Sequence, residues 1–197
     1  MMRAMTERRR AKIETVLRQR QKGLTLIMDN VWDPHNVSAI YRSCDAFGVP
    51  EVHLYYTRCA FPQLSRKTSA SAFKWVGTVR HSSREELAEA LRSQGMRILA
   101  TSCSPASRPL TSCDFTQPTA IVMGNEHTGV SPELLPLVDG EVYIPMYGMV
   151  QSFNVSVASA LILAEASRQR AAAGMYGRTL WTEEEYAARL NAWLEKA

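Results

Sequence analysis

The segment EVYIPMYGMVQSFNVSVASALILAEA (141–166) constrains this chain more than any other. It reads as a short strand, Glu141–Pro145, a loop, and a long apolar helix running from Asn154 to about Ala173, where Gly174 closes it. Loops are ordinarily polar because their main-chain groups need water. This one is apolar apart from Tyr147, Gln151 and Ser152. An apolar loop needs cover, and its N–H and C=O groups then need partners. Either it packs as a buried strand–helix crossover, or it lines a pocket whose free main-chain donors suit a flat, adenine-like ring better than a phosphate.

The rest of the chain alternates in the same sense. Leu24–Val31, Glu51–Tyr56, Trp75–His81, Met96–Ser102 and Thr119–Asn125 read as further strands. Between them, Asn36–Gly48 places Val37, Ile40, Cys44 and Phe47 at helical spacing, and the polar segment Pro62–Ala72 follows the second strand. Arg84–Gln94 is a helix capped by Ser82 or Ser83 and closed by Gly95. Pro132–Val138 reads as a short helix. Thr182 with Glu185 forms a capping box opening a final helix, Glu183–Lys196. Repeated βαβ units predict an α/β fold with a mostly parallel sheet and helices on both faces. At 197 residues the chain suffices for one domain with a substantial core.

Composition excludes more than it selects. With 46% apolar and 21% charged residues, the chain is ordinary for a globular protein. No apolar run reaches transmembrane length, and the N-terminus is too basic and too poor in apolar residues for a signal peptide. Cys44, Cys59, Cys103 and Cys113 show neither CxxC nor Cys/His ligand spacing, so the sequence predicts no metal site and a reducing, cytoplasmic setting. The charge is lopsided: residues 1–22 carry +6 and the remainder −2. Ile13, Val16 and Leu17 give this arm one apolar stripe for docking. Arg8, Arg9, Arg10, Lys12, Arg18 and Arg20 are the candidate contacts to a nucleic acid, the alternative being a merely solvated basic helix. The stripe is too narrow for a good membrane-surface helix.

Three loops are expected at the carboxyl ends of strands, where open α/β sheets bind ligands. DNVWDPHN (29–36) offers Asn36 as a natural N-cap and leads into a helix carrying Arg42. That residue is either a phosphate clamp or a solvent-facing arginine. MGNEHTGVS (123–131) brackets Asn125, Glu126 and His127 with glycines, and Glu126 is either an anchoring group or a turn-stabilising carboxylate. The loop lacks a P-loop ending, and no GxGxxG opens a helix anywhere. His35, His53, His81 and His127 are scattered without ligand pairing. Ser152 lacks a GxSxG elbow and a paired base, which excludes serine hydrolysis and leaves a hydrogen-bonding role.

NVWDPHNVSAIYRSCDAFGV (30–49), IVMGNEHTGVS (121–131) and IPMYGMVQSFNVSVASALILAEA (144–166) resemble the three ordered motifs of the SPOUT-class RNA 2′-O-methyltransferases. The match is closest to the tRNA (guanosine-2′-O)-methyltransferases of the TrmH/SpoU type and covers nearly the whole chain. The basic arm and SRQRAAAGMY (167–176) are similar to that type too. The resemblance implies a SPOUT fold, in which the C-terminal part of the sheet is threaded into a trefoil knot and flanked by N- and C-terminal helices. It implies a basic helical arm (1–22), a methyltransferase domain (23–176) and a C-terminal helix (177–197). It further implies a homodimer with the active site at the subunit interface, S-adenosylmethionine as methyl donor, and guanosine 18 of the tRNA D-loop as target.

By the same resemblance, Thr101, Ile144 and Phe153 match cofactor contacts, with Gly124 and Met146 in that pocket. Asn36, Arg42, Glu126, Ser152 and Asn154 match the polar active-site set. Phe153 departs from the leucine usual there, and Tyr147 adds a bulky ring beside Gly148. The resemblance gives Arg42 a part in activating the hydroxyl. A guanidinium is a poor proton acceptor, so Arg42 is expected to clamp a phosphate and stabilise developing alkoxide charge, with proton loss through phosphate or water. Methylation of another RNA ribose, and a non-catalytic RNA-binding module keeping the fold, are the alternative readings.

Overall fold

The computed structural model describes residues 6–63 and 72–197, so most of the polar segment 62–72 lies outside the described residues. At its centre, β1 (Leu24–Asp29) is buried along its whole length. That is the signature of a strand covered on both faces. It pairs in parallel with β2 (Glu51–Tyr55), Ile27 opposite His53, and with β6 (Thr119–Met123), Leu24 opposite Thr119. β3 (Gly77–His81) extends the sheet beyond β2. β4 (Arg97–Thr101), β7 (Gly140–Tyr143) and a two-residue β5 (Arg108–Pro109) extend it beyond β6. The order is β3-β2-β1-β6-β4-β7-β5, and every pairing is parallel.

Helices cover both faces. On one, α2 (Pro34–Ala46) and α4 (Val155–Ala172) pack on each other and on the sheet through Val37, Ile40, Cys44, Ile162, Leu163 and Ala166. On the other, Leu87 and Leu91 of α3 (Arg84–Arg92) bury against Ile27, Ile98 and Val122. α1 (Glu7–Arg18) and α5 (Glu183–Lys196) pack together, Ile13 and Leu17 against Trp181 and Trp193. The Thr182–Glu185 capping box is present. The last turns of α4 are fastened by side chains. Arg170 is fully buried and donates to the carbonyls of Phe115 (2.8 Å), Lys22 (3.1 Å) and Gly23 (2.8 Å). Burial lowers its pKa to about 10.

Several predicted boundaries move for local reasons. β1 stops at Asp29 because Asn30 turns into the left-handed region (φ 52), which asparagine tolerates better than most residues. α2 begins two residues earlier than expected. Asp33, not Asn36, is its N-cap, accepting from His35 N at 2.8 Å, and Pro34 fills the first turn. The third strand starts at Gly77 after a 3-10 turn over Ala72–Lys74. The helix expected over 132–138 is only a 3-10 turn, Leu135–Leu137, since Pro136 supplies no N–H to propagate it.

Candidate active site

Because all seven strands run the same way, the loops after β1, β6 and β7 meet at one end of the sheet. Asn30 is the hub of two of them. Its Oδ1 accepts from the main-chain N–H of Thr57 (3.0 Å) and Arg58 (2.9 Å), and its carbonyl accepts from Asn125 Nδ2 (2.7 Å). Beside it the buried Asp29 carboxylate accepts from Ser131 N (2.6 Å), Ser131 Oγ (2.7 Å) and Asn30 Nδ2 (2.8 Å). Burial pushes the Asp29 carboxyl above its ordinary range, against the pull of those three donors. The 124–131 loop is thereby held against the β1–α2 turn. Asn125 and Gly129 close it with reciprocal bonds of 2.9 Å. Gly124 sits so close beneath that a Cβ would meet Gly129 C and Val130 N at 2.4 Å, a backbone approach open only to glycine.

This frame sets three polar side chains in a row. Asn154 Nδ2 donates to Asn36 Oδ1 at 3.0 Å, and Asn36 Nδ2 donates to Glu126 Oε1 at 2.8 Å. Each comes from a different loop or helix start. Asn154 caps α4 through Ser156 N. Asn36, released from the capping role predicted for it, uses its amide as the link between the other two. Among the described residues Glu126 Oε2 meets only the Trp32 N–H, at 3.5 Å, a weak contact that leaves it able to accept from a ligand.

Next to the row lies a cavity of about 430 Å³ between the ends of β4, β6 and β7 and the start of α4. Its wall includes all five residues assigned to the cofactor: Thr101, Gly124, Ile144, Met146 and Phe153. Glu126, Ser152 and Asn154 reach it, while Asn36 and Arg42 do not. Arg42 is exposed on α2 and makes no hydrogen bond or ion pair among the described residues. Thr101 spends its hydroxyl on Val122 O at 2.9 Å, so its contribution is shape and main chain. Ser152 makes no hydrogen bond among the described residues and is exposed. Leu110 and Ala158, which also line the cavity, carried no local signal in the sequence.

Residues 146–153 depart from expectation. An apolar loop was expected to be buried, yet Tyr147 is 98% and Met149 99% exposed, with Val150 and Phe153 also exposed. Their main-chain groups make no hydrogen bonds among the described residues. Among the described residues nothing folds over this loop. Its donors stay open at the cavity mouth, and its side chains continue onto the exposed Val157 and Leu161 of α4.

The basic arm divides as well. Arg8, Arg9, Arg10, Lys12 and Arg18 are exposed on α1. Arg10 pairs with Glu14 at 3.0 Å, and Arg18 lies over the Tyr186 ring. Arg20 is a correction: it is 1% exposed, and its guanidinium is paired with the Asp45 carboxylate and bonded to the carbonyls of Asp45 and Val49, with Trp193 stacked on it. It holds α5 to the body and has no reach to RNA. Periodicity at the very end of a helix does not separate a buried arginine from an exposed one.

Could this cavity accept S-adenosylmethionine? Its volume falls in the range of small-molecule sites. Its apolar walls suit an adenine ring, and the open main-chain donors at 146–153 suit that ring's nitrogen edge. The residues present fit. Among the described residues no three His, Cys, Asp or Glu side chains gather as a metal set.

Fold and site together define a class: α/β proteins with a ligand-sized cavity at the carboxyl ends of parallel strands, beside a row of hydrogen-bonded polar side chains. The chain belongs to the SpoU rRNA Methylase family, whose pattern matches residues 23–164. It is 46% identical over 195 residues to the tRNA (guanosine(18)-2′-O)-methyltransferase of Thermus thermophilus, covering 99% of this chain and 100% of that one. The crystal structure of the Aquifex aeolicus TrmH/SpoU tRNA modifying enzyme superposes with a TM-score of 0.89 at 39% identity over 96% of both chains. The SpoU methyltransferase AviRb of Streptomyces viridochromogenes, solved in complex with the cofactor AdoMet, superposes with a TM-score of 0.68 at 29% identity over 79% of this chain and 62% of that one.

Proposed function

We propose that this protein transfers a methyl group from S-adenosylmethionine to the ribose 2′-hydroxyl of guanosine 18 in tRNA. The observation that carries the reading is the Asn154–Asn36–Glu126 row at the mouth of the cavity. Full-length similarity to an enzyme named for that reaction supports it. Bound there, S-adenosylmethionine would supply an electrophilic methyl for direct displacement by an oxygen. The chain's own part is alignment, which in well-oriented cases contributes roughly 7–11 kcal/mol. Glu126 Oε2 and Ser152 Oγ are the groups on hand to orient a hydroxyl. Asn36 fixes Glu126 and Asn154 in register, and Arg42 is the candidate clamp for an adjoining phosphate.

The exposed arginines and lysine of α1, packed on α5, supply the basic flank for tRNA in this proposal. A second copy of the chain covers the apolar face from Tyr147 to Leu161, completing a homodimer; sedimentation as a monomer at micromolar concentration would remove that part. The trefoil threading belongs here too. The likeness in fold to the TrmH/SpoU tRNA modifying enzyme supports it, and a crystallographic chain trace that pulls straight from its ends would dismiss it. No described helix is long and apolar enough to cross a membrane, in keeping with action on tRNA in the cytoplasm.

The deciding experiment incubates the protein with methyl-labelled S-adenosylmethionine and an unmodified tRNA transcript, then digests and maps the label. Label in 2′-O-methylguanosine at position 18 is expected. Label at another ribose, or only in ribosomal RNA fragments, would reassign the target, and no label in any RNA would end the reading.

A further inference from the structure

Trp32 stands apart from the other three tryptophans. Trp75, Trp181 and Trp193 belong to the cluster between α1 and α5. Trp32 is 54% exposed and belongs to none of the apolar clusters. The indole is nevertheless carried on a fixed stretch of backbone. Val31 before it is fully buried, with its carbonyl accepting from Tyr56 OH at 2.7 Å, and Asp33 after it caps α2. Across from it, on the 124–131 loop, lies the exposed imidazole of His127, the ring centroids 6.2 Å apart and the planes 34° from parallel. Asn125 Oδ1 accepts from His127 N at 2.9 Å and steadies that ring's backbone. Two flat rings from two anchored loops thus lie close to Glu126, which precedes His127 in the chain and whose Oε2 accepts weakly from the Trp32 N–H at 3.5 Å.

We infer that Trp32, with His127 beside it, is the stacking platform for the purine of the nucleotide whose ribose is presented to Glu126. This inference rests on the RNA-methylation reading and adds to it how the target base is held. Sequence-specific RNA recognition targets loop nucleotides whose bases can be splayed out, and an unstacked base is commonly received on an aromatic side chain. An indole has the largest face available for this and donates no specificity of its own, so recognition of guanine over adenine falls to other groups. The ring is placed where one nucleotide spans both contacts, sugar at the carboxylate and base on the indole. Trp32 joins none of the apolar clusters among the described residues, so core packing does not account for it.

The test is a double-perturbation cycle on the full-length protein. Trp32→Leu keeps an apolar side chain without a π face, Trp32→Phe keeps the π face, and the RNA carries either guanine or an abasic sugar at position 18. Binding is read by gel shift, beside turnover, S-adenosylmethionine affinity and sedimentation. Trp32→Leu is expected to weaken binding of the guanine RNA roughly 5- to 100-fold, with cofactor affinity and sedimentation unchanged. Trp32→Phe should stay within about 3-fold of the parent. With the abasic RNA, the parent and Trp32→Leu should bind equally. Equal losses on both RNAs, or no loss on either, would overturn the platform. So would a Trp32→Leu variant that sediments differently, since that assigns the indole to a subunit contact. If the parent protein methylates no RNA, the functional reading fails by itself, while the binding cycle still decides the platform.

Discussion

Replacing Asn36 by aspartate should produce a protein whose stability ranking inverts with pH. In the native protein Asn36 donates to Glu126 Oε1 at 2.8 Å and accepts from Asn154 at 3.0 Å. Asn36→Ala removes both bonds, one of them to a charged group, for a loss of about 2–3 kcal/mol. Asn36→Asp keeps the acceptor for Asn154 but sets a second carboxylate against Glu126. At an effective dielectric of about 20, unit charges at that separation repel by about 6 kcal/mol. Water around the half-buried Glu126 and relaxation of the side chains reduce this to about 2–4 kcal/mol. At pH 8, therefore, Asn36→Asp is expected to be less stable than Asn36→Ala by about 2 kcal/mol. At pH 5 the two carboxyls can share a proton, which restores a donor in the asparagine's place. The aspartate variant should then be the more stable of the two, each compared with the parent at the same pH. Urea denaturation at both pH values measures this, and methyl transfer by Asn36→Asp should recover in parallel. The same order at pH 5 and pH 8 would refute the claim that Asn36 and Glu126 are in direct contact.

Other consequences are as concrete. Gly124→Ala should leave the fold cooperative yet weaken S-adenosylmethionine binding at least 10-fold by calorimetry, because the added methyl has only backbone to displace; unchanged affinity would show the loop yields freely. Arg20→Ala should destabilise the protein by about 2–3 kcal/mol, through the hydrogen bonds it makes to the Asp45 and Val49 carbonyls and to the partly exposed Asp45 carboxylate, and leave the salt dependence of tRNA binding alone. By contrast, each of Arg8→Ala and Arg9→Ala should lower the log–log salt slope by up to about 0.9 without affecting stability; the reverse pattern would return Arg20 to the RNA surface. His53 and His81 are buried, stacked and joined at 2.8 Å, and burial and then its neighbour's charge hold His53 at about 4. His81 is lowered too, mainly by burial, although Glu86 pulls it back. The unfolded chain therefore takes up protons first. The pair's stabilisation is intact above about pH 6.5 and drains as pH falls toward 4, by about 2 kcal/mol or more. A His53→Leu/His81→Leu variant that loses stability as steeply over that window would disprove the assignment.

The layered parallel sheet was legible because its central strands are near-continuous apolar runs and its helices carry clean apolar stripes. Asn154, the capping box at Thr182 and the glycine after α4 were legible from residue chemistry alone. The two-residue β5 was not, since a strand that short leaves no period to count. The burial of Arg20 was hidden for another reason: its partners Asp45, Val49 and Trp193 are distant in sequence, and only tertiary contact distinguishes it from Arg18. Asn30, Asn125, Asp29 and Ser131 were invisible as a framework because each serves by holding a loop. The exposure of Tyr147 and Met149 shows what composition alone lacks. An apolar loop suggests cover, yet among the described residues this one is left exposed.

The central claim, that this site methylates a single ribose oxygen, is tested most directly by a tRNA transcript carrying 2′-deoxyguanosine at position 18. The account predicts that this RNA binds like its ribose parent and competes with it, yet accepts no labelled methyl under single-turnover conditions. Methyl incorporation into the deoxy transcript at the parent's rate would contradict it.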